Sequence, residues 1–143
     1  MKTVKQISLS LENKPGKLAE VSNLLGANGV NITAFYVVAK DEQGVLNFVA
    51  NNSEKAINIL KTNGYNIESQ DVIACEAPNH PGGLNAVLKP LWNANINVDY
   101  LYPCIGMGEL TILILGLDPI EKALKVMEEN WIRVFGNNDL FSY

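Results

Sequence analysis

Asn13-Lys14-Pro15-Gly16-Lys17-Leu18 is the stretch that decides how this chain is read. Ahead of it, Ile7, Leu9 and Leu11 alternate with Gln6, Ser8 and Ser10, the period-two pattern of a half-buried strand. Behind it, Leu18, Val21, Leu24 and Leu25 recur at the three- and four-residue spacing of a buried helix stripe. The Pro-Gly pair therefore stands where a strand turns into a helix. Pro15 is expected in the first helical turn, where its missing N–H has no partner to lose. Gly16 lets a ligand approach the backbone without a Cβ in the way. First-turn N–H groups, backed by the positive end of the helix dipole, suit an anion such as a carboxylate. Asn13 adds an amide that both donates and accepts. A single corner of this kind is also a common structural turn and decides nothing by itself.

The stretch occurs twice. Asn79-His80-Pro81-Gly82-Gly83-Leu84 repeats it, and Asn, Pro, Gly and Leu all recur at an offset of 66 residues. Downstream, Gly29-Val30-Asn31-Ile32 is echoed by Asn95-Ile96-Asn97-Val98, with Asn31 and Asn97 at the same offset. Matched positions at one spacing identify a tandem duplication. The 143 residues thus divide into units of residues 1–71 and 72–143. Units that small bury only about 60% of their unfolded surface, so packing against other surfaces is expected.

The net charge of −4 argues against a nucleic-acid or anionic-membrane partner. Lysines and acidic residues number seven each up to Asp71; beyond it stand four basic and eight acidic residues, so the second unit holds the excess. No apolar run approaches the ~18 residues of a membrane span. Met1-Lys2-Thr3-Val4-Lys5-Gln6 lacks a signal-peptide core, so a cytoplasmic location is expected. Cys75 and Cys104 are then expected as free thiols.

In the first unit a strand is expected over 31–40, a turn at Asp41-Glu42-Gln43-Gly44 and a returning strand over 45–50. Ser53 is expected to cap a helix with Ala56, Ile57 and Leu60 inward, ended by Asn63-Gly64, before a short strand over 65–70. The second unit follows suit. Strands are expected over 72–77, 98–105, 110–117 and 131–135, with Gly106-Met107-Gly108 as the turn. Its helices are expected over 81–95, with Pro90 inside and kinking the axis, and after Asp118 as cap, with Ile120, Ala123, Leu124 and Met127 inward. The order βαββαβ, twice, is the ferredoxin-like α+β arrangement, an antiparallel sheet with both helices on one face. Leu110-Thr111-Ile112-Leu113-Ile114-Leu115 is apolar on both faces, where the first copy has Asn47. This predicts either a covered open face or a greasy central strand. The C-terminal Leu140-Phe141-Ser142-Tyr143 either packs there or frays.

A strand, Asn-x-Pro-Gly-x-Leu, an amphipathic helix and then Gly-Val-Asn-Ile within βαββαβ resembles the ACT domain. The resemblance covers essentially the whole chain, as two tandem units. It implies a regulatory sensor of small molecules, most often amino acids, acting on a metabolic enzyme. It also implies edge-to-edge association through second strands, with ligands at the seam, and a homodimer. Carried onto this sequence, one site would unite Leu11, Asn13 and Gly16 with Asn97. The other would unite Ala77, Asn79, His80 and Gly82 with Asn31. Both suit a zwitterion, whose carboxylate takes N–H groups and whose ammonium takes amide and carbonyl oxygens. The alternative for Asn31 and Asn97 is that each satisfies local backbone in its turn. With His80 for Lys14 and Gly83 for Lys17, the second loop is expected to be less basic and more open.

An enzyme finds little support. One histidine cannot build a metal cluster, and neither a Gly-x-Ser-x-Gly nor a Walker-type loop is present. No catalytic residue, cofactor or metal is expected. A strand order of 4-1-3-2 would keep Cys75 and Cys104 apart by one strand, with no disulfide. The remaining alternative is an interaction module that binds no ligand and docks on an enzyme.

Overall fold

The computed structural model describes residues 2–140. Two compact units emerge from it, residues 5–70 and residues 71 onward joined by the few residues ahead of Lys5. In the first, β1 (Val4–Glu12), α1 (Lys17–Ala27), β2 (Ile32–Lys40), β3 (Gln43–Ala50) and α2 (Ser53–Thr62) lead into β4 (Asn66–Ala77). The strand order is β2-β3-β1 with β4 beside β1. Both β1–β3 and β2–β3 are antiparallel, with Leu9 opposite Leu46 and Val37 opposite Leu46. The second unit continues with α3 (Gly83–Asn93), β5 (Val98–Pro103), β6 (Thr111–Leu117), α4 (Ile120–Glu129), β7 (Val134–Phe135) and α5 (Asn137–Leu140). Here β6 lies between β4 and β5, and β7 pairs the other side of β4.

This is the expected α+β architecture of two βαββαβ units, each with its own core. Ile7, Leu9, Val21, Leu25, Phe48 and Leu60 fill the first. Ile73, Cys75, Val87, Leu91, Leu115 and Met127 fill the second. The strand β6 is buried on both faces, Ile112 and Ile114 on one and Leu113 and Leu115 on the other, so its continuous apolar run reflects a covered sheet. Asn47, its counterpart, is also buried and accepts the Ser8 hydroxyl at 2.6 Å, which removes the cost of burying an amide.

Several local expectations are corrected. The strands expected over 65–70 and 72–77 are one twelve-residue strand, β4, because no turn residue separates them. Asn52, not Ser53, caps α2: Asn52 is extended and its side chain accepts from Lys55 N. Asp118 does not cap α4, whose N-cap position is Pro119 with no side-chain hydrogen bond. The strand expected over 131–135 shrinks to Val134–Phe135, since Trp131 adopts φ 59 and cannot extend the ladder. The hairpin expected at Gly106-Met107-Gly108 is a longer loop that starts after Pro103 and buries Met107. Leu18, expected in the buried stripe, is 46% exposed, while Val21 and Leu25 are buried. Leu140 is fully buried; Phe141, Ser142 and Tyr143 lie outside the described residues.

Candidate functional site

Each Pro-Gly stretch folds as a turn ahead of its helix and not as the helix's first turn. Lys17 N–H donates to Lys14 O at 3.3 Å, and Gly83 N–H donates to His80 O at 2.8 Å. Pro occupies the second turn position, and Gly the third with φ 88 and ψ −11 at Gly16, φ 83 and ψ −1 at Gly82. That pair of angles is the signature of a type II turn, which needs glycine at its third position. Pro15 and Pro81 are thus placed by turn geometry, and the helices begin at Lys17 and Gly83. Gly16 and Gly82 also serve as N-caps without any side-chain cap, and a Cβ built on either meets nothing within 4 Å. By helix geometry the next N–H groups, of Leu18 and Leu84, have no intrahelical acceptor. Two open corners result, one in each unit, each with a first-turn N–H left to donate.

The asparagines ahead of the turns differ. Asn13 continues the β1–β3 pairing through its N–H to Glu42 O at 2.7 Å and clamps the hairpin turn with Nδ2 to Asp41 O at 3.1 Å, leaving its side-chain oxygen to accept. Asn79 is exposed and makes no hydrogen bond among the described residues. His80 turns Nδ1 onto Pro81 O at 2.8 Å and faces solvent. Leu11 and Ala77, the strand residues at the mouth of each turn, are buried.

Charge in the first loop is largely neutralised on the spot. Lys14 Nζ lies 2.7 Å from Glu12, which holds the Glu12 carboxyl below its ordinary value through the hydrogen bond and the charge, and Lys17 lies 3.7 Å from Glu20. Nor is the second loop more open at Gly83, as expected from the missing side chain. Gly83 is buried, and a Cβ there would stand 1.8 Å from Pro78 O.

Asn31 sits at the head of β2, its backbone N–H and C=O both exchanged with Asn51. It lines a groove of about 370 Å³ between α1 and β2, together with Leu18, Ser22, Gly26, Phe35 and Val37. A smaller recess of about 50 Å³ is lined by Leu11, Asn13 and Leu18 among others, so the structure brings the predicted pair Leu11 and Asn13 together in the first unit. Asn97 instead donates Nδ2 to the Asp99 carboxylate at 3.0 Å. The equivalent of Asp99 in the first unit is Thr33, whose hydroxyl is buried and donates to Val49 O at 3.0 Å. Asp99 was not singled out from sequence, although a charge replacing a strand threonine at the repeat offset was the available signal. Another recess, about 570 Å³, contains none of these residues and is lined by Lys2, Glu121, Lys125 and Glu128 among others. Its mixed charges belong to the solvent-facing side of α4.

Among the described residues, no cluster of three or more His, Cys, Asp or Glu is placed to hold a metal ion, and no helix is long and apolar enough to cross a membrane. Cys75 and Cys104 are free thiols. Burial, aided for Cys75 by Cys104 alongside, pushes each up to about 12 from 9.0. The folded chain therefore keeps both protons where the unfolded chain loses them. Their contribution to stability is intact below about pH 9 and falls as pH rises toward 12, by up to about 1.4 kcal/mol per pH unit per thiol. Urea midpoints at about pH 8 and 10.5, read against a Cys75→Ala/Cys104→Ala double variant, check this; equal pH profiles for the two proteins contradict it.

The ACT domain pair family matches residues 2–143. Among solved structures the chain is similar to protein BT0572 from Bacteroides thetaiotaomicron, with 27% identity and TM-score 0.91 over 99% of this chain and 97% of that one. It shares its fold with the regulatory subunit of aspartate kinase from Thermus thermophilus, with 14% identity and TM-score 0.65 over 92% and 94% of the two chains. No curated protein matches.

Proposed function

The chain belongs to the ACT domain pair family, and from that premise we propose that it is a non-catalytic regulatory sensor of an amino acid, working as a homodimer in the cytoplasm on a metabolic enzyme. Its functional units are residues 1–71 and 72–143. The observation that carries this reading is the corner built twice. Both copies place an αL glycine with open space around it at the N-terminus of a helix, behind a strand-end Asn. Among the described residues, nothing lies within 4 Å of a Cβ built on either glycine. A carboxylate fits the open N–H groups of such a corner. The ammonium needs acceptors, and the Asp99 carboxylate held beside Asn97 supplies one.

Each site, in this reading, joins a corner of one kind of unit to the helix-to-strand asparagine of the other. Leu11, Asn13 and Gly16 act with Asn97, and Ala77, Asn79, His80 and Gly82 act with Asn31. The first of these sites holds Asp99 and the second does not, so the two differ in affinity. A ligand acts by preferring one arrangement of the seam over another, worth 1–3 kcal/mol for typical coupling.

A thermal-shift screen of the twenty amino acids tests the proposal. A true ligand at about 100 times its Kd adds about 2.7 kcal/mol of stability and raises Tm. Asn13→Ala and Asn79→Ala, made separately, are expected to shrink the shift without changing the unliganded Tm by the same amount. A screen with no shift, or a shift that neither variant alters, defeats the assignment.

A further inference from the structure

Gly26 is the penultimate residue of α1, in its last turn. Its own unit gives no reason for it: φ is not positive, and a Cβ there meets nothing within 4 Å. What Gly26 does is floor one end of the groove between α1 and β2, with Ser22 one turn earlier and Phe35 and Val37 opposite. At the repeat offset, Gly26 corresponds to Trp92 and Ser22 to Leu88. Trp92 is 77% exposed on α3, the second unit's counterpart of α1. One unit therefore carries a hole, and the other carries a knob at the same place in its fold. Neither is filled among the described residues. Phe35, Val37 and Val38 are exposed on edge strand β2, and Leu101 and Ile105 are exposed on or just beyond edge strand β5.

We propose that Trp92 of one copy enters the Ser22–Gly26 end of the α1–β2 groove of a second copy, so that copies associate by joining a first unit to a second unit and never like to like. It rests on the seam reading above and adds what selects the pairing. In this arrangement Gly26 and Trp92 lie at the near two-fold axis of the seam, where equivalent positions face one another. Joining two first units sets Gly26 against Gly26 and leaves a void, whose lining loses its packing contacts. Joining two second units sets Trp92 against Trp92 in space for one ring. Only the mixed seam is filled without a clash, and a two-fold dimer then contains that contact twice. Rejection of the wrong pairing thus comes from shape, which is specificity by exclusion as well as by fit.

Sedimentation equilibrium on the full chain tests it, with circular dichroism as the check on folding. The wild-type chain is expected to dimerise. Trp92→Ala is expected to raise the dimer Kd by about thirtyfold or more, as for a buried aromatic anchor. Gly26→Trp, which fills the hole at a position with free space around it, is expected to do the same. The double variant Gly26→Trp/Trp92→Gly moves the knob to the other unit and is expected to return the Kd to within a few-fold of wild type. Trp131→Ala, at a tryptophan that is 95% exposed but outside the groove and its counterpart, leaves the Kd unchanged. A monomeric wild type overturns the proposal, as do single variants that dimerise normally, a double variant as weak as the singles, or an equal loss in Trp131→Ala. An amino-acid screen that fails while the knob exchange succeeds sinks the sensor reading alone; the reverse sinks only the pairing.

Discussion

Phe48→Ala is expected to lower the unfolding free energy by about 3–5 kcal/mol. The ring is fully buried in β3, opposite Ile7 of β1 in the ladder, and packs in a cluster with Leu9, Val21, Leu25 and Leu60. Those residues come from two strands and both helices of the unit, so no one neighbour can move in to close the cavity. A unit of about 70 residues holds only about 3–10 kcal/mol in total, and the loss is therefore comparable with everything that keeps residues 5–70 folded. Leu115→Ala is expected to cost about 2–5 kcal/mol by the same mechanism in the second unit, whose cluster shares no buried residue with the first. Urea midpoints measure both. A loss below about 1 kcal/mol in either variant would mean that its cluster collapses around the gap.

Gly83→Ala is expected to destabilise the chain by about 3 kcal/mol, the upper end of the range for overpacking. The added methyl would meet the Pro78 carbonyl oxygen at 1.8 Å and its carbon at 2.8 Å. Backbone cannot swing aside as a side chain does. Relief requires moving the segment between β4 and the turn, and with it the bond from Gly83 N–H to His80 O. Gly82→Ala, one residue earlier, has free space but a left-handed backbone, so its cost is the smaller ~1–2 kcal/mol of an L-residue in that region. Paired melting curves should rank Gly83→Ala below Gly82→Ala. The opposite order would show that the corner relaxes more readily than its geometry implies. Because the shifted segment contains Asn79, Gly83→Ala should also weaken any ligand response at the second corner.

The comparison of Gly83 with Lys17 shows where reading the chain by itself falls short. The exchange predicted an open loop, since a side chain had been removed. Yet the space was taken by Pro78, whose path depends on how β4 leaves its sheet. Asn13 is a similar case. Its place before Pro-Gly marked it as a ligand group, but half of its amide is spent on Asp41, 28 residues later in the chain. Leu18 met the helical spacing of a buried stripe, yet it is 46% exposed, as is Leu84 at the matched position of the second unit. Which face of a helix is covered depends on what packs against it, and periodicity alone does not show that.

What the amino-acid order determined unaided is the doubling at an offset of 66 and the βαββαβ sequence of elements. Alternation, helical spacing and turn chemistry are properties of a few adjacent residues, so they survive without knowledge of the rest. Only the tertiary structure decided which apolar residues are covered, that Gly26 opens a groove while Trp92 projects, and that Asp99 stands beside Asn97. Burial and the shape of a groove depend on which distant segments arrive to fill a space. That outcome is set by the packing of whole elements, where the energy of one side chain depends on all its neighbours at once.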